Sequence, residues 1–105
     1  MWNAPDEPLL RQVPALYATE RTSAEGKVVW LHFFFGDCDW YVAEYDGGDI
    51  FFGFVVLHGD LINAEWGYFA LSELADIEVY GFEVDRDVHW EPTPAGEIER
   101  IRGWL

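Results

Sequence analysis

The sequence lacks lysine and arginine throughout the stretch from Val28 to Asp85. At ordinary residue usage, about seven basic residues would fall in a stretch of that length. The same stretch holds twelve of the carboxylates, and the whole chain has a formal net charge of −14. Such a charge repels nucleic acid and anionic lipid, and it attracts basic surfaces. We therefore expect no direct binding of nucleic acid or membrane, and we expect a basic protein as the partner.

Cysteine and long apolar runs are also scarce. Cys38 is the only cysteine, so no disulfide can form within the chain. Apolar runs such as Phe33–Phe35 are a few residues long, whereas a membrane-spanning helix needs about 20 apolar residues. The first residues have neither a basic region nor an apolar region of the kind found in signal peptides. These shortages favour a cytoplasmic location.

Recognisable catalytic motifs are missing as well. The two serines are Ser23, in a predicted loop, and Ser72, at a predicted helix start, and neither lies in a nucleophile-elbow pattern. Aspartates on both sides of Cys38 disfavour a reactive thiolate. The turn Asp46–Asp49 contains two glycines, but its two carboxylates would repel phosphate. We predict no catalytic residue and no cofactor.

Aromatic and aliphatic residues are abundant. Half of the residues are hydrophobic, and the chain has six tryptophans, five tyrosines and eight phenylalanines. Burial of so many large apolar groups can offset the entropy lost when a chain becomes ordered. A chain of 105 residues can form one hydrophobic core without disulfides. Residues 1–105 are therefore predicted to form a single acidic α+β domain.

Strand patterns dominate the middle of the chain. Four runs are rich in β-branched and aromatic residues, namely Lys27–Phe35, Trp40–Tyr45, Ile50–Leu57 and Glu65–Phe69. The first three are joined by short connectors that contain glycine and aspartate, which is typical of hairpins. We predict an antiparallel meander sheet of four to six strands, with one or two further strands between Glu78 and Trp90.

Short helices are predicted at three places. The first lies at the N-terminus and ends near Val13, because Pro14 interrupts the helical spacing. The second follows the fourth strand, with Ser72 as its N-cap. The third lies at the C-terminus, with Thr93 as N-cap and Pro94 in the first turn. Its buried stripe is predicted to consist of Ile98, Ile101 and Trp104 or Leu105.

The aromatic residues of the middle strands have two possible roles, core or binding platform. The strands that contain them are apolar on both alternating faces. Either both faces of the sheet are covered, or one of them meets a partner. The aromatic residues concerned are Trp40, Tyr41, Tyr45, Phe51, Phe52, Phe54, Trp66, Tyr68 and Phe69.

Alternating acidic residues after the middle strands form a candidate metal site. In an extended segment, side chains two positions apart point to the same face. Three carboxylates and one imidazole would then meet, a set that suits a hard or borderline divalent cation. The residues are Asp85, Asp87, His89 and Glu91. The alternative is a charged edge strand that guards against aggregation. Of the other histidines, His32 is predicted to be a hydrogen-bonded core residue and His58 a loop residue.

The acidic residues of the middle region form the main candidate binding face. Carboxylates spaced along a rigid sheet can pair with arginine and lysine on a partner and give fast association that depends on salt. The predicted members of this face are Asp37, Asp39, Glu44, Asp46, Asp49, Asp60, Glu65 and Glu73.

Five blocks of the sequence carry a resemblance to a known family. They are Leu16–Glu20, Trp40–Asp46, Asp49–Gly53, Glu65–Leu74 and Val84–Asp87. On these blocks the chain resembles a bacterial family catalogued as domain of unknown function 2958. The resemblance implies a small protein found on plasmids, phages and other mobile elements, and it implies no catalytic residues.

The preferred functional hypothesis is a non-enzymatic, acidic protein-interaction module. Acidic proteins on mobile elements include inhibitors that imitate the charge of DNA and occupy the nucleic-acid site of a basic protein, and this analogy supports a DNA-mimic-like role. A first alternative is a small-molecule or divalent-metal-dependent enzyme that uses Glu44, Glu65, Glu73 or the Asp85–Glu91 segment. A second alternative is a homodimer that hides an aromatic face against itself.

Overall fold

The computed structural model describes residues 1–105 and contains one five-stranded antiparallel sheet with short helices around it. The α-helices are α1 (Glu7–Leu10), α2 (Leu71–Asp76) and α3 (Glu99–Arg102), and short 3₁₀ turns cover Ala24–Gly26 and Ala95–Glu97. The strands are β1 (Val28–Val29), β2 (Leu31–Phe35), β3 (Cys38–Tyr45), β4 (Ile50–Val56), β5 (Glu65–Ala70), β6 (Glu78–Val79), β7 (Phe82–Glu83), β8 (Asp85–Arg86) and β9 (Thr93–Pro94).

The central sheet has the strand order β5-β4-β3-β2-β8, so β2 to β5 form an uninterrupted meander. The turn between β2 and β3 places Gly36 at a φ of 54°, a left-handed conformation that glycine adopts without strain. Two pairs of strands lie outside this sheet, β1 with β9 and β6 with β7. The predicted α+β class and the predicted meander are confirmed.

Both faces of the sheet are covered by the chain itself. On one face, Phe33, Val42 and Phe51 belong to a core cluster against which residues of α1 and α2 pack. On the other face, Tyr41 and Phe54 pack with the C-terminal segment. Seven of the eight residues of β3 are buried. Most of the aromatic residues of the middle strands are therefore core residues, although Tyr45, Phe52 and Trp66 are only half-buried and Tyr68 is exposed.

A bulge interrupts the pairing of β3 with β4 between Val42 and Glu44. Gly53 lies opposite Val42 at this point, and a Cβ atom on Gly53 would lie 1.8 Å from the carbonyl oxygen of Tyr41. Only glycine fits such a close backbone contact. The bulge therefore requires glycine at position 53.

The first two helices differ in detail from the sequence prediction. Helix α1 ends at Leu10 rather than near Val13, because the chain continues as a tighter turn in which Val13 N donates to Leu10 O. Ser72 is not the N-cap of α2. The N-cap is Ala70, whose N–H donates to the carboxylate of Glu73, while the hydroxyl of Ser72 donates to Asp49.

The C-terminal segment also differs from the prediction. Thr93 and Pro94 do not begin the last helix, because they pair as β9 with Val29 and Val28. The helix α3 begins only at Glu99. Ile98 and Ile101 are buried as predicted, but Trp104 and Leu105 are exposed.

We predict that Gly53→Ala lowers the free energy of unfolding by about 3 kcal/mol, since the new methyl group meets backbone that cannot move without breaking the sheet. Urea unfolding measures this change. The control is Gly67→Ala, because Gly67 pairs directly with Gly53 but has open space where a Cβ would lie. Equal effects of the two substitutions would show that the close contact does not constrain the bulge.

Candidate functional site

Asp39, predicted as part of the acidic face, is buried in an internal network. Its Oδ1 atom lies 2.7 Å from Nε2 of His32, and its Oδ2 atom lies 3.0 Å from Nη1 of Arg100. Arg100 belongs to α3, so this carboxylate attaches the C-terminal helix to the sheet. Asp39 therefore has a structural role and is not available to a partner.

His32 lies between aromatic rings and carboxylates. Its ring stacks on Tyr41 with the centroids 4.5 Å apart. The buried Nδ1 atom has no hydrogen-bond partner, and the nearest carboxylate oxygen, from Asp87, is 4.0 Å away. The predicted hydrogen bond of a core histidine is thus present at Nε2 only. Burial, and then the charge of Asp39, raises the pKa of the Tyr41 hydroxyl well above its usual value.

Glu44 is also removed from the predicted acidic face. It is buried, and its carboxylate accepts hydrogen bonds from the backbone N–H groups of Tyr17 and Thr19, at 2.8 and 3.2 Å, and from the Thr19 hydroxyl. These bonds attach the loop before β1 to the sheet. The carboxylates of Glu44 and Glu73, which the enzyme hypothesis invoked, are both occupied by hydrogen bonds within the chain.

Asp46 is exposed and rigidly held at the turn after β3. Its Oδ1 atom accepts backbone hydrogen bonds from Gly48, Asp49 and Ile50 at 2.7, 2.9 and 3.0 Å. These bonds, with that from Gly48 the strongest, lower the pKa of the Asp46 carboxyl. The side chain is therefore a fixed negative charge on the surface.

Asp49 and Glu73 lie near Asp46 at the same end of the sheet. Asp49 accepts from the backbone N–H and the hydroxyl of Ser72 at 2.8 and 2.6 Å. Its carbonyl oxygen accepts from Leu71 N at 2.8 Å. These bonds hold the turn after β3 against the start of α2.

A groove of about 520 Å³ adjoins the Asp46 turn, and we call it the Asp46 groove. Its lining includes Tyr45, the carboxylates of Glu7 and Asp46, and the apolar side chains of Leu10 and Val13. Burial, and then the nearby charges of Asp46, Asp49 and Glu7, raises the pKa of the Tyr45 hydroxyl. A cation with an apolar stem, such as an arginine side chain, matches this lining.

Glu7 was not among the predicted binding residues. Its place beside Asp46 depends on the loop after α1, where Tyr45 N donates to Pro14 O at 2.8 Å. That contact joins segments 31 residues apart in the sequence. The sequence shows the acidic pair Asp6-Glu7, but no local pattern shows that Glu7 lies in the same groove as Asp46.

Asp37, Asp60 and Glu65 lie at the opposite end of the sheet. Asp60 accepts from the backbone N–H groups of Ile62 and Asn63 and, at 2.7 Å, from the Asn63 side chain. The side-chain bond from Asn63 is the main cause of the lowered pKa of the Asp60 carboxyl. Gly59 N donates to the carbonyl oxygen of Asp37 at 2.8 Å, so the two loops meet.

A second groove, of about 420 Å³, lies at this end, and we call it the Asp60 groove. Its lining includes the carboxylates of Asp60 and Glu65 and the ring of Tyr68. It thus resembles the Asp46 groove in combining two carboxylates with one tyrosine. The Asp60 groove is lined by β4, β5 and the loop between them, whereas the Asp46 groove adjoins the end of β3 at Tyr45.

The four candidate metal ligands do not share a face. The extended segment ends at Arg86, and a turn follows at residues 88–89. Asp85 accepts from the side chain of Asn3, which is the main cause of its lowered pKa, whereas Asp87 lies beside His32. His89 and Glu91 are exposed. No group of three or more histidine, cysteine, aspartate or glutamate residues is placed to hold a metal ion.

Cys38 is buried, and its sulfur atom accepts a hydrogen bond from His58 N at 3.3 Å. His58 lies in a turn, as the sequence predicted. Cys38 belongs to the buried core cluster, so it packs at the start of β3.

The fold and the two grooves define a class: a strongly acidic α+β domain in which the exposed carboxylates of Asp46 and Asp60 are held by backbone hydrogen bonds. The family model described as protein of unknown function (DUF2958) matches residues 7–96, and the chain belongs to that family. No curated protein and no solved structure matches the chain. None of the helices has the length and apolar character that crossing a membrane requires.

We predict that Asp46→Ala destabilises the protein at neutral pH and that the effect disappears in acid. The pKa of Asp46 is lower in the folded state than its ordinary value of 3.8. Its stabilising effect is therefore complete above that ordinary value, and it is lost as the pH falls through the folded-state pKa. Urea unfolding at a series of pH values between neutral and about 2 measures the difference from the unsubstituted protein.

The control for this experiment is Asp37→Ala, since the Asp37 carboxylate is exposed and makes no hydrogen bond. It should show almost no destabilisation. A difference between Asp46→Ala and the unsubstituted protein that persists unchanged in acid would contradict the assigned role of the carboxylate charge.

Proposed function

We propose that this protein is a non-enzymatic acidic module that binds a basic partner protein, with the Asp46 groove and the Asp60 groove receiving basic side chains. The observation on which the proposal rests is the pair of grooves, each with two carboxylates beside a tyrosine ring. A guanidinium can form ion pairs with the carboxylates and stack on the ring.

Few basic side chains of the protein itself are available to neutralise these carboxylates. Four of the six are already engaged: Arg11 with Glu7, Lys27 with Thr19, Arg86 with the carbonyl oxygen of Asn3, and Arg100 with Asp39. Only Arg11 lines either groove. Since Arg11 pairs with Glu7 in the Asp46 groove, the carboxylates left for a partner are Asp46 in that groove and Asp60 and Glu65 in the other.

The rigidity of the two turns favours binding. Asp46 and Asp60 are oriented by hydrogen bonds from the backbone. A partner therefore need not order these side chains on binding, and the conformational entropy lost in the complex is smaller. The lowered pKa values of both carboxyls keep them ionised down to acid pH. The overall negative field should also accelerate encounter with a positively charged partner.

A nucleic-acid-binding protein fits this description of a partner. Proteins that bind nucleic acid present arrays of arginine and lysine to a polyanion. A rigid acidic protein can occupy such an array and exclude the nucleic acid. We therefore propose a DNA-mimic-like inhibitor or regulator, located in the cytoplasm, where a protein with one free cysteine needs no disulfide. Occurrence on a mobile element is part of the same proposal.

The proposal is tested with a groove variant that changes charge but keeps the hydrogen-bonding oxygen atoms. It combines Asp46→Asn, Asp60→Asn and Glu65→Gln. The control variant has the same net charge and combines Glu20→Gln, Glu25→Gln and Glu97→Gln, at exposed sites outside both grooves.

The tagged protein is first used to capture partners from host lysate at low and high salt, and the affinity of each variant for the purified partner is then measured. We expect a basic partner that is released by salt and by duplex DNA. We expect the groove variant to bind about tenfold more weakly or worse, a loss of about 1.4 kcal/mol. The control variant should lose much less. Equal losses would show that net charge alone matters, and capture of no basic partner would contradict the proposal.

A further inference from the structure

The hairpin formed by β6 and β7 is a separate structural unit. Its two strands pair only with each other. Ile77, before the hairpin, packs against the core, and Val84, after it, is fully buried. The hairpin is thus attached at both ends while its tip extends from the body of the protein.

The tip of the hairpin exposes apolar side chains. Tyr80 is 97% exposed, Phe82 71% and Val79 46%. Tyr80 and Gly81 both have positive φ angles, 52° and 84°. This backbone conformation is common for glycine and uncommon for tyrosine. The turn therefore holds a large aromatic side chain in solvent at some conformational cost.

A cleft of about 380 Å³ lies between the hairpin and the sheet edge. Phe34 and Phe35 contribute to it from β2, and Val79, Tyr80 and Phe82 contribute from the hairpin. An isolated two-stranded hairpin is only marginally stable in water. Its apolar side chains remain exposed and therefore add little to its stability. The cleft can accept apolar side chains from another molecule.

The charged side chains around the cleft are negative. They are Glu83 and Asp85, and the N-terminal ammonium of Met1, which also lines the cleft, lies 3.8 Å from Asp85. Glu78 lies directly opposite Glu83 in the hairpin register, and neither forms an ion pair. Like charges at directly opposite positions are destabilising. A cation placed between them by a partner would relieve this repulsion.

A second copy of this chain is a poor occupant of the cleft. It would bring a further net charge of −14 to a surface whose charged lining is already acidic. Charge complementarity instead selects a segment with basic residues next to apolar ones. Protein interfaces commonly combine a few central apolar anchors with a charged rim, and the cleft has both parts.

We propose that the β6–β7 hairpin and its cleft are the apolar anchor of the binding surface, and that they receive a partner segment in which apolar side chains alternate with lysine or arginine. The basic character of this segment rests on the proposed function, whereas the location at the hairpin does not. Apolar contacts at Tyr80 and Phe82 would supply salt-resistant affinity, and the carboxylates would supply speed and selectivity.

The test uses the full-length ¹⁵N-labelled protein and three short synthetic peptides of equal length. One alternates leucine with lysine, one alternates serine with lysine, and one alternates leucine with glutamate. In NMR titrations, we expect the leucine–lysine peptide to shift the amide signals of Val79–Glu83 and Gly36. We expect weaker and more diffuse shifts with the serine–lysine peptide, and none with the leucine–glutamate peptide.

Two variants locate the contact. Tyr80→Ser combined with Phe82→Ser should weaken binding of the leucine–lysine peptide about tenfold or more. The control, Ile62→Ser combined with Val88→Ser, removes apolar side chains that are 93% and 55% exposed outside the cleft. It should bind as the unsubstituted protein does. The amide spectrum of each variant shows whether it is folded.

Three results would overturn the inference. Equal affinity of the hairpin variant and the unsubstituted protein, with shifts confined to residues of the Asp46 and Asp60 grooves, would place binding elsewhere while the proposed function stands. If no peptide binds at millimolar concentration, the hairpin is not an apolar binding site. The capture of partners from lysate would then still test the proposed function separately. Sedimentation equilibrium at high salt tests for a dimer. A dimer that Phe82→Ser abolishes would show that the hairpin binds a second copy of the chain.

Discussion

The close contact between Gly53 and the carbonyl oxygen of Tyr41 is the constraint on which the rest of the structure depends. It occurs at the bulge of β3, the strand at the centre of the sheet. Before the bulge, Asp39 and Tyr41 face the C-terminal segment. After it, Glu44 is placed to bind the loop at Tyr17 and Thr19. One extra residue thus allows a single strand to organise both the C-terminal segment and the loop before β1, and it leads directly into the acidic turn at Asp46.

The local features of this fold were readable from the sequence, and the long-range ones were not. Alternation of large apolar residues and glycine-containing turns predicted the meander, because both signals act over a few residues. The predicted single acidic face was less accurate. Asp39 has its partner in Arg100, and Glu44 has its partners in a loop more than twenty residues earlier. No local pattern distinguishes such a buried carboxylate from an exposed one. The same limit applies to Asp85, whose partner Asn3 is 82 residues away.

The negative charge of the protein is divided among three roles. Asp39 and Glu44 hold segments of the fold together from within. Asp46 and Asp60 hold turns through hydrogen bonds from the backbone and remain exposed to solvent. Glu78 and Glu83 oppose each other on the hairpin and oppose its folding. The first two roles explain how a chain with so few cations can fold, and the third is a cost to folding.

The rate at which a thiol reagent labels Cys38 can report local opening of the sheet. This residue is the one thiol in the chain, it is buried, and it lies at the first position of the central strand. A thiol reagent can reach it only when the start of β3 separates from its neighbours. The labelling rate of the unsubstituted protein therefore reports how often the start of β3 opens, without any added probe. Partner binding that stabilises the sheet would register as slower labelling of Cys38, which pairs with Phe35 of the cleft.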